Sequence, residues 1–260
     1  MGWSSGRRLR LRIPMDTSTF RFGRRAFSHY PSIVDFGALT LSLELGLLVS
    51  CALLVIGFPL AYWLAFSHRR WKFLIEAMVA LPLVLPPTVL GFYLLVALGP
   101  QSPVGRMWQS WTGHTLAFTF EGLVIGSILY SLPFAVQPIA SSLAAIDRKL
   151  LDASSILGAS PVRTFFRITV PLAMPGIITG FVLAFAHTLG EFGVVLMIGG
   201  NIPGATKTIS IAIYDDVQSL NYAAANQAAI LLLVISFITL CLVYGFNRRS
   251  AQPGPVGDNR

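Results

Sequence analysis

AMVALPLVLPPTVLGFYLLVALGPQSPVG, residues 77–105, holds no Asp, Glu, Lys or Arg. Roughly 20 apolar residues are enough for a helix to cross a hydrocarbon core, and this run is longer than that. Gly122 to Ile146 and Val217 to Asn247 are free of the same four residue types, so the pattern recurs along the chain. Of the 260 residues, 54% are hydrophobic and only 12% charged, against about 25% charged in a soluble domain. A soluble fold of this size would lack the charge to cover its surface. The sequence is that of an all-α integral membrane protein.

Five helices account for the apolar runs, at about Ala38–Phe66, Phe73–Leu98, Leu116–Ile146, Gly176–Ile198 and Ala224–Phe246. Pro133 and Pro138 interrupt the third, which can therefore be kinked or divided; division would make six spans. Basic residues orient the set. Arg69, Arg70 and Lys72 follow the first span, Arg148, Lys149, Arg163 and Arg167 the third, and Arg248, Arg249 and Arg260 the fifth. The alternate connections hold Arg106 and Lys207. Ten basic residues against two place the carboxyl terminus in the cytoplasm. Residues 1–35, a basic tail, run against this pattern with seven arginines. A start at Met15 would remove Arg7, Arg8, Arg10 and Arg12; an interfacial segment or a sixth span would be the other account. The tail lacks the apolar core and small-residue site of a signal peptide. The organisation is thus a tail over 1–35, a membrane domain over 36–248 with a cytoplasmic loop at 147–171, and a cytoplasmic tail over 249–260.

The net charge of +8 does not indicate nucleic acid. The cations sit in short clusters beside apolar spans, where they meet lipid headgroups. Cys51 and Cys241 each lie inside an apolar run and form no CxxC pair, which leaves them packing roles.

The loop reads DRKLLDASSILGASPVRTFFRITVP, residues 147–171. Leu150, Leu151, Ile156 and Leu157 mix with polar residues at helical spacing, and Gly158 can end that short helix. Ser160 can cap a second, with Pro161 at its first position and Phe165, Phe166 and Ile168 on its apolar side. Composition admits two readings: helices lying in the lipid interface, or a docking element for a soluble partner.

Asp152-Ala153-Ser154, three residues, Gly158, nine residues, then Ile168-Thr169-Val170-Pro171 resembles the EAA loop of binding-protein-dependent ABC importer permeases. The family pattern is Glu-Ala-Ala, three residues, Gly, nine residues, Ile, any residue, Leu, Pro. This chain departs with Asp for Glu, Ser for the second Ala and Val for Leu, and keeps the spacing. The resemblance implies the type I permease fold. It also implies a coupling helix, carried by Asp152, Ala153, Ser154, Gly158, Ile168 and Pro171, that lodges in a groove of a separate ATPase. A shorter acid at Asp152 would weaken any ion pair there. No P-loop pattern occurs in the chain, so ATP and magnesium would be bound by that partner and this chain would hold no cofactor and catalyse no reaction.

The resemblance spans roughly residues 36–248. Leu81–Gly91 (LPLVLPPTVLG), Thr188–Gly193 (TLGEFG) and Gly200–Ile209 (GNIPGATKTI) look like stretches of molybdate permeases. The related sulfate permeases share much of this, usually with Tyr where Phe192 stands. What the resemblance implies is a bacterial inner-membrane homodimer with two ABC ATPases and a periplasmic or extracellular molybdate-binding protein, importing molybdate or tungstate; the alternative is sulfate.

The same residues have a physical reading. Pro82, Pro86 and Pro87 break the hydrogen-bond ladder of the second span, which suits a gate lining a cavity or a static kink. Glu191, between Gly190 and Gly193, is an ionisable residue inside the fourth span and so a functional candidate by default. It would repel an oxyanion, and a structural or gate role, paired with backbone amides or with His187, fits it better. His187 and Glu191 are too few for a metal site. Glu44 and Glu76 read as interfacial, Lys207 as a solvated surface residue, and Gly122-x-x-x-Gly126 and Gly176-x-x-x-Gly180 as close helix contacts. A membrane enzyme would need converging acids, bases or ligands, and none is in view. An ion-coupled secondary transporter would leave the loop without a purpose.

Overall fold

The computed structural model describes residues 34–250, and side chains to residue 245. The tail expectations for residues 1–33, including the seven arginines and the Met15 start, lie outside the described residues. So do residues 251–260.

The described chain is helical throughout. In order come α1 Phe36–Phe66, α2 Lys72–Val84, α3 Pro87–Leu98, α4 Pro103–Thr112 and α5 Phe120–Ala144. After these come α6 Arg148–Ile156, α7 Pro161–Thr164, a π turn Phe165–Thr169, α8 Val170–Gly190, α9 Gly193–Gly199, α10 Ile209–Gln218 and α11 Tyr222–Ser250. Four helical stretches among the described residues are long and apolar enough to cross a membrane: Phe36–Phe66, Phe120–Ala144, Pro161–Gly190 and Tyr222–Gly245. The pair α2 and α3 makes a fifth span if counted together, bent by 112° at its break.

Local chemistry explains where most helices begin. Asp35 Oδ1 accepts from the Ala38 amide at 3.0 Å and Thr119 Oγ1 from the Gly122 amide at 3.3 Å, capping α1 and α5. The α1 residues Leu45, Val49 and Leu53 recur at helical spacing and are fully buried against Leu123 and Ala135 of α5 and Ala184 of α8. Nearer the other end, Ala61 and Leu64 meet Val136, Ile139 and Leu143 of α5, Val79 of α2 and Ala173. Lipid tails are as apolar as leucine, so close packing holds such helices together. The two small-x-x-x-small pairs supply it. A Cβ on Gly180 would fall 2.7 Å from the Ala135 carbonyl oxygen, and one on Gly176 would collide with Ser142.

Two of the five sequence spans change, and a third keeps its course. The third span stays one helix through Pro133 and Pro138. The second is two helices rather than one. The fourth begins fifteen residues earlier, at Pro161, and breaks at Glu191 rather than running to Ile198. Cys51 and Cys241 are free and exposed on the outside of the bundle, not part of the packed core.

Candidate coupling loop and helix breaks

Asp147 Oδ1 accepts from the Lys149 amide at 2.9 Å and starts α6. Beyond α6, Gly158 adopts φ +76°, the left-handed region that favours glycine. Its amide donates to Ser155 O at 3.0 Å and the Ala159 amide to Ser154 O at 3.0 Å, satisfying the last carbonyls. Ser160 Oγ accepts from the Arg163 amide at 3.3 Å with Pro161 next in line, as expected. The second piece is not a short separate helix. It runs on through the π turn into α8, so the loop is one continuous rod with a membrane span. Phe165 wedges that rod against Phe58 and Tyr62 of α1, with ring centroids 5.8 and 5.7 Å apart.

Within the loop, Asp152 and Ala153 are exposed and Ser154 is buried. Ser154 Oγ donates to Leu151 O at 2.9 Å and lies 2.8 Å from Thr164 Oγ1, tying α6 to the base of the rod. Ile168 is half-buried and Pro171 exposed in the first turn of α8. The outer tip is apolar and bare: Ile156 is 84% and Leu157 86% exposed. Arg148 donates to His68 Nε2 at 3.0 Å, joining the loop to the α1–α2 connection.

The α2–α3 break sits at Leu85 and Pro86, with ψ 135° and 136°. A residue before proline is pushed out of the helical region, and two consecutive prolines do this twice over. Pro87 then opens α3, where its missing N–H costs nothing. Pro82 lies within an unbroken α2. The α8–α9 break falls at Glu191 and Phe192. The two breaks meet in space, since a Cβ on Gly193 would stand 2.7 Å from Pro87 Cβ, and one on Gly91 would stand 2.8 Å from Met197 Cβ. A Cβ on Gly190 would meet nothing within 4 Å.

Glu191 is 3% exposed. Ser127 of α5 stands beside it, yet neither its carboxylate oxygens nor the serine hydroxyl is within hydrogen-bonding geometry of any described group. His187 does not pair with it. Its Nδ1 is 2.9 Å from Ser131 Oγ, and its ring stacks on Phe134 at 3.9 Å. Ser131 Oγ also lies 3.0 Å from Thr188 Oγ1, so one α5 serine joins two α8 side chains. Among the described residues no three His, Cys, Asp or Glu converge as a metal site.

The loop after α9 is braced rather than loose. Thr206 Oγ1 donates to Gly199 O at 2.7 Å and accepts from the Ile202 amide at 2.9 Å. Asp215 of α10 accepts from Asn201 Nδ2 at 3.1 Å and pairs with Lys207 Nζ at 3.0 Å. Lys207 is therefore ion-paired, not a freely solvated lysine.

The family described as binding-protein-dependent transport system inner membrane component matches residues 57–252. The chain belongs to this family. It is 52% identical over 217 residues to the molybdenum transport system permease protein ModB of Azotobacter vinelandii, covering 84% of this chain and 96% of that one. Against the protein of the same name from Escherichia coli strain K12 the identity is 38% over 209 residues, covering 80% and 91%. A probable sulfate transport system permease protein from Chlorella vulgaris is 31% identical over 185 residues, covering 71% and 69%. In fold, the chain is similar to a bacterial ABC transporter that imports alginate, at TM-score 0.65 and 20% identity, covering 87% and 82%. The inward-facing MetNI methionine ABC transporter gives 0.63 at 15% identity, covering 83% and 95%.

This family member is thus a multi-span membrane permease with the fold of ABC importer permeases. Its sequence pointed to Gly158, the proline pair and the Gly190–Gly193 stretch. It marked Ser154 only as part of the loop motif and gave no sign of Ser131 or Asp215 as tie points, since single hydroxyls and a surface acid carry no pattern. Ser131→Ala in the permease removes the shared partner of His187 and Thr188. Hydrogen bonds between membrane helices are worth about 0.6 kcal/mol on average and about 1.7 at most, so thermal unfolding in detergent is expected to start a few degrees lower. A melting curve that overlays the parent would show that this seam carries no stability.

Proposed function

We propose that the chain is the membrane subunit of an ATP-driven molybdate importer, working as a homodimer with two ABC ATPases and a binding protein on the outer side. The observation that carries the reading is the 52% identity to a molybdenum permease over 96% of that protein's length, beside a loop whose second piece is continuous with the span Pro161–Gly190. The sulfate reading is supported by a relative at 31% identity over a smaller share of both chains, and it ranks second.

In this mechanism the exposed tip of α6, with Asp152, Ala153, Ile156 and Leu157, seats in the ATPase, and the carboxyl terminus is cytoplasmic. Closure of the ATPases on ATP moves α6; Ser154 and Gly158 pass the movement to the rod that becomes α8. At the far end of that rod the Glu191 break and the Pro86–Pro87 break lie together, where a shift of α8 would be felt by α3 and α9 and open the pathway outward. Hydrolysis in the partner resets it. The binding protein docks on the outer connections at 101–115 and 201–222, and membrane lipid covers the remaining apolar faces.

The test is labelled molybdate uptake in cells lacking their own importer, with the ATPase and binding protein co-expressed. ATP-dependent uptake blocked by excess tungstate, but not by sulfate, is expected. Sulfate entry without molybdate entry would move the cargo to the sulfate branch. Uptake of either without any ATPase would overturn the importer reading.

A further inference from the structure

Near the α6 end of the bundle, α1, α2 and α5 enclose an open cavity of about 440 Å³. On α5 it is lined by Gln137, Ala140, Ser141 and Ala144, a stripe of small and polar side chains at helical spacing. On α2 it is lined by Lys72, Glu76, Val79 and Ala80. The neighbouring face of α2 is apolar and outward, with Phe73 at 62% and Met78 at 68% exposed.

Gln137 and Ser141 are exposed, and neither side chain has a hydrogen-bond partner among the described residues. Gln137 lies about 10 Å along the helix from Ala144, at 1.5 Å per residue, well inside the span. An amide facing hydrocarbon at that depth would forfeit its hydrogen bonds, and polar groups within membrane spans accordingly face a bundle interior or a water-filled cavity. Glu191 and the proline breaks lie farther up the bundle and line none of this cavity. Lys72 is its one lining cation, held by Glu76 at 3.3 Å in a half-exposed pair that is easily exchanged for another anion.

We infer that this cleft is the water-filled inner half of the translocation pathway. Gln137 and Ser141 donate hydrogen bonds to the passing oxyanion, and Lys72 draws it toward the cytoplasm. The inference rests on the transport reading and on the orientation with α6 in the cytoplasm. Gln137 and Ser141 suit a tetrahedral oxyanion because each donates without adding a fixed charge that would trap a dianion.

The test uses single cysteines in a background with Cys51→Ser and Cys241→Ser. Gln137→Cys and Ser141→Cys are compared with Val55→Cys, which is 75% exposed on the apolar surface of α1. Inside-out vesicles carrying the full transporter are treated with an anionic, membrane-impermeant methanethiosulfonate. The two cleft cysteines are expected to react at least an order of magnitude faster than Val55→Cys, with ATP-driven release of anion enclosed in the vesicles lost on labelling and the transported anion slowing the reaction several-fold. Reaction no faster than at Val55→Cys would overturn the proposal, because lipid or a second copy would then seal the stripe. Fast labelling with no protection and undiminished ATP-driven release would overturn it too, placing the water off the pathway. Should the parent vesicles carry sulfate and not molybdate, sulfate serves as the protecting anion. The cargo assignment then fails while the same comparison still decides the cleft.

Discussion

Gly158→Val is expected to abolish ATP-driven uptake while leaving the protein in the membrane at normal abundance. Gly158 sits at φ +76°, and a Cβ built there meets nothing within 4 Å. The penalty is therefore conformational and local. A left-handed backbone costs an ordinary L-residue about 1–2 kcal/mol, and a β-branched side chain is worse off still. The loop would relieve that cost by changing the turn between α6 and α7, since nothing else packs on the glycine. The membrane core, far from the turn, would be untouched. Reconstituted with its ATPase, the variant should hydrolyse ATP without accumulating substrate. Gly158→Asn, which tolerates the left-handed region better, should retain much of the uptake. Parental transport by the valine variant would sink the coupling role.

Gly176→Leu should have the largest effect on stability. A Cβ at Gly176 collides with Ser142 and stands 2.6 Å from the Pro138 carbonyl oxygen, which is backbone and cannot swing away. Overpacking a core costs about 1–3 kcal/mol where side chains can yield. Here two helices would have to separate, so the loss should reach or exceed the upper figure. Almost all of the leucine variant is expected to be degraded or to aggregate on detergent extraction, and Gly176→Ala to be intermediate. Size-exclusion chromatography of the extracted protein measures this directly. A monodisperse leucine variant melting with the parent would mean that α5 and α8 do not rely on this contact.

Much of the candidate coupling site was legible because its instructions are local. Gly158, Ser160 and Pro161 act within a few residues of themselves, by capping a helix or by tolerating a left-handed turn, and each does in the structure what its type suggests. Pro86 and Pro87 belong to the same class, since steric exclusion by a proline ring reaches only to the preceding residue. Pro82 shows the limit. By composition it resembles its neighbours, yet α2 runs through it, because a lone proline in a membrane helix removes one hydrogen bond without forcing two residues into the extended region.

Glu191 marks the other side of that limit. It read as part of a continuous fourth span, paired with backbone amides or with His187 four residues earlier. The structure ends α8 there, turns His187 to Ser131, and leaves the carboxylate buried beside Ser127. No proline causes this break. Gly193 must come within contact of Pro87, on a segment more than a hundred residues earlier in the chain, and a straight α8 is given up where glycines on both sides make the turn cheap.

Alone, the sequence determined that the chain lies in a membrane, which way its loops are charged, and where its coupling loop caps and turns. Those properties follow from transfer of side chains out of water and from backbone sterics, both of which act over one residue or one helical turn. Only the tertiary structure decided that two broken helices share one site, that Ser154 and Asp215 are tie points, and that Gln137 and Ser141 face a cavity with Lys72. These depend on which helix faces are apposed. Apposition is set by close packing between small residues far apart in the chain, and no single stretch of sequence encodes it.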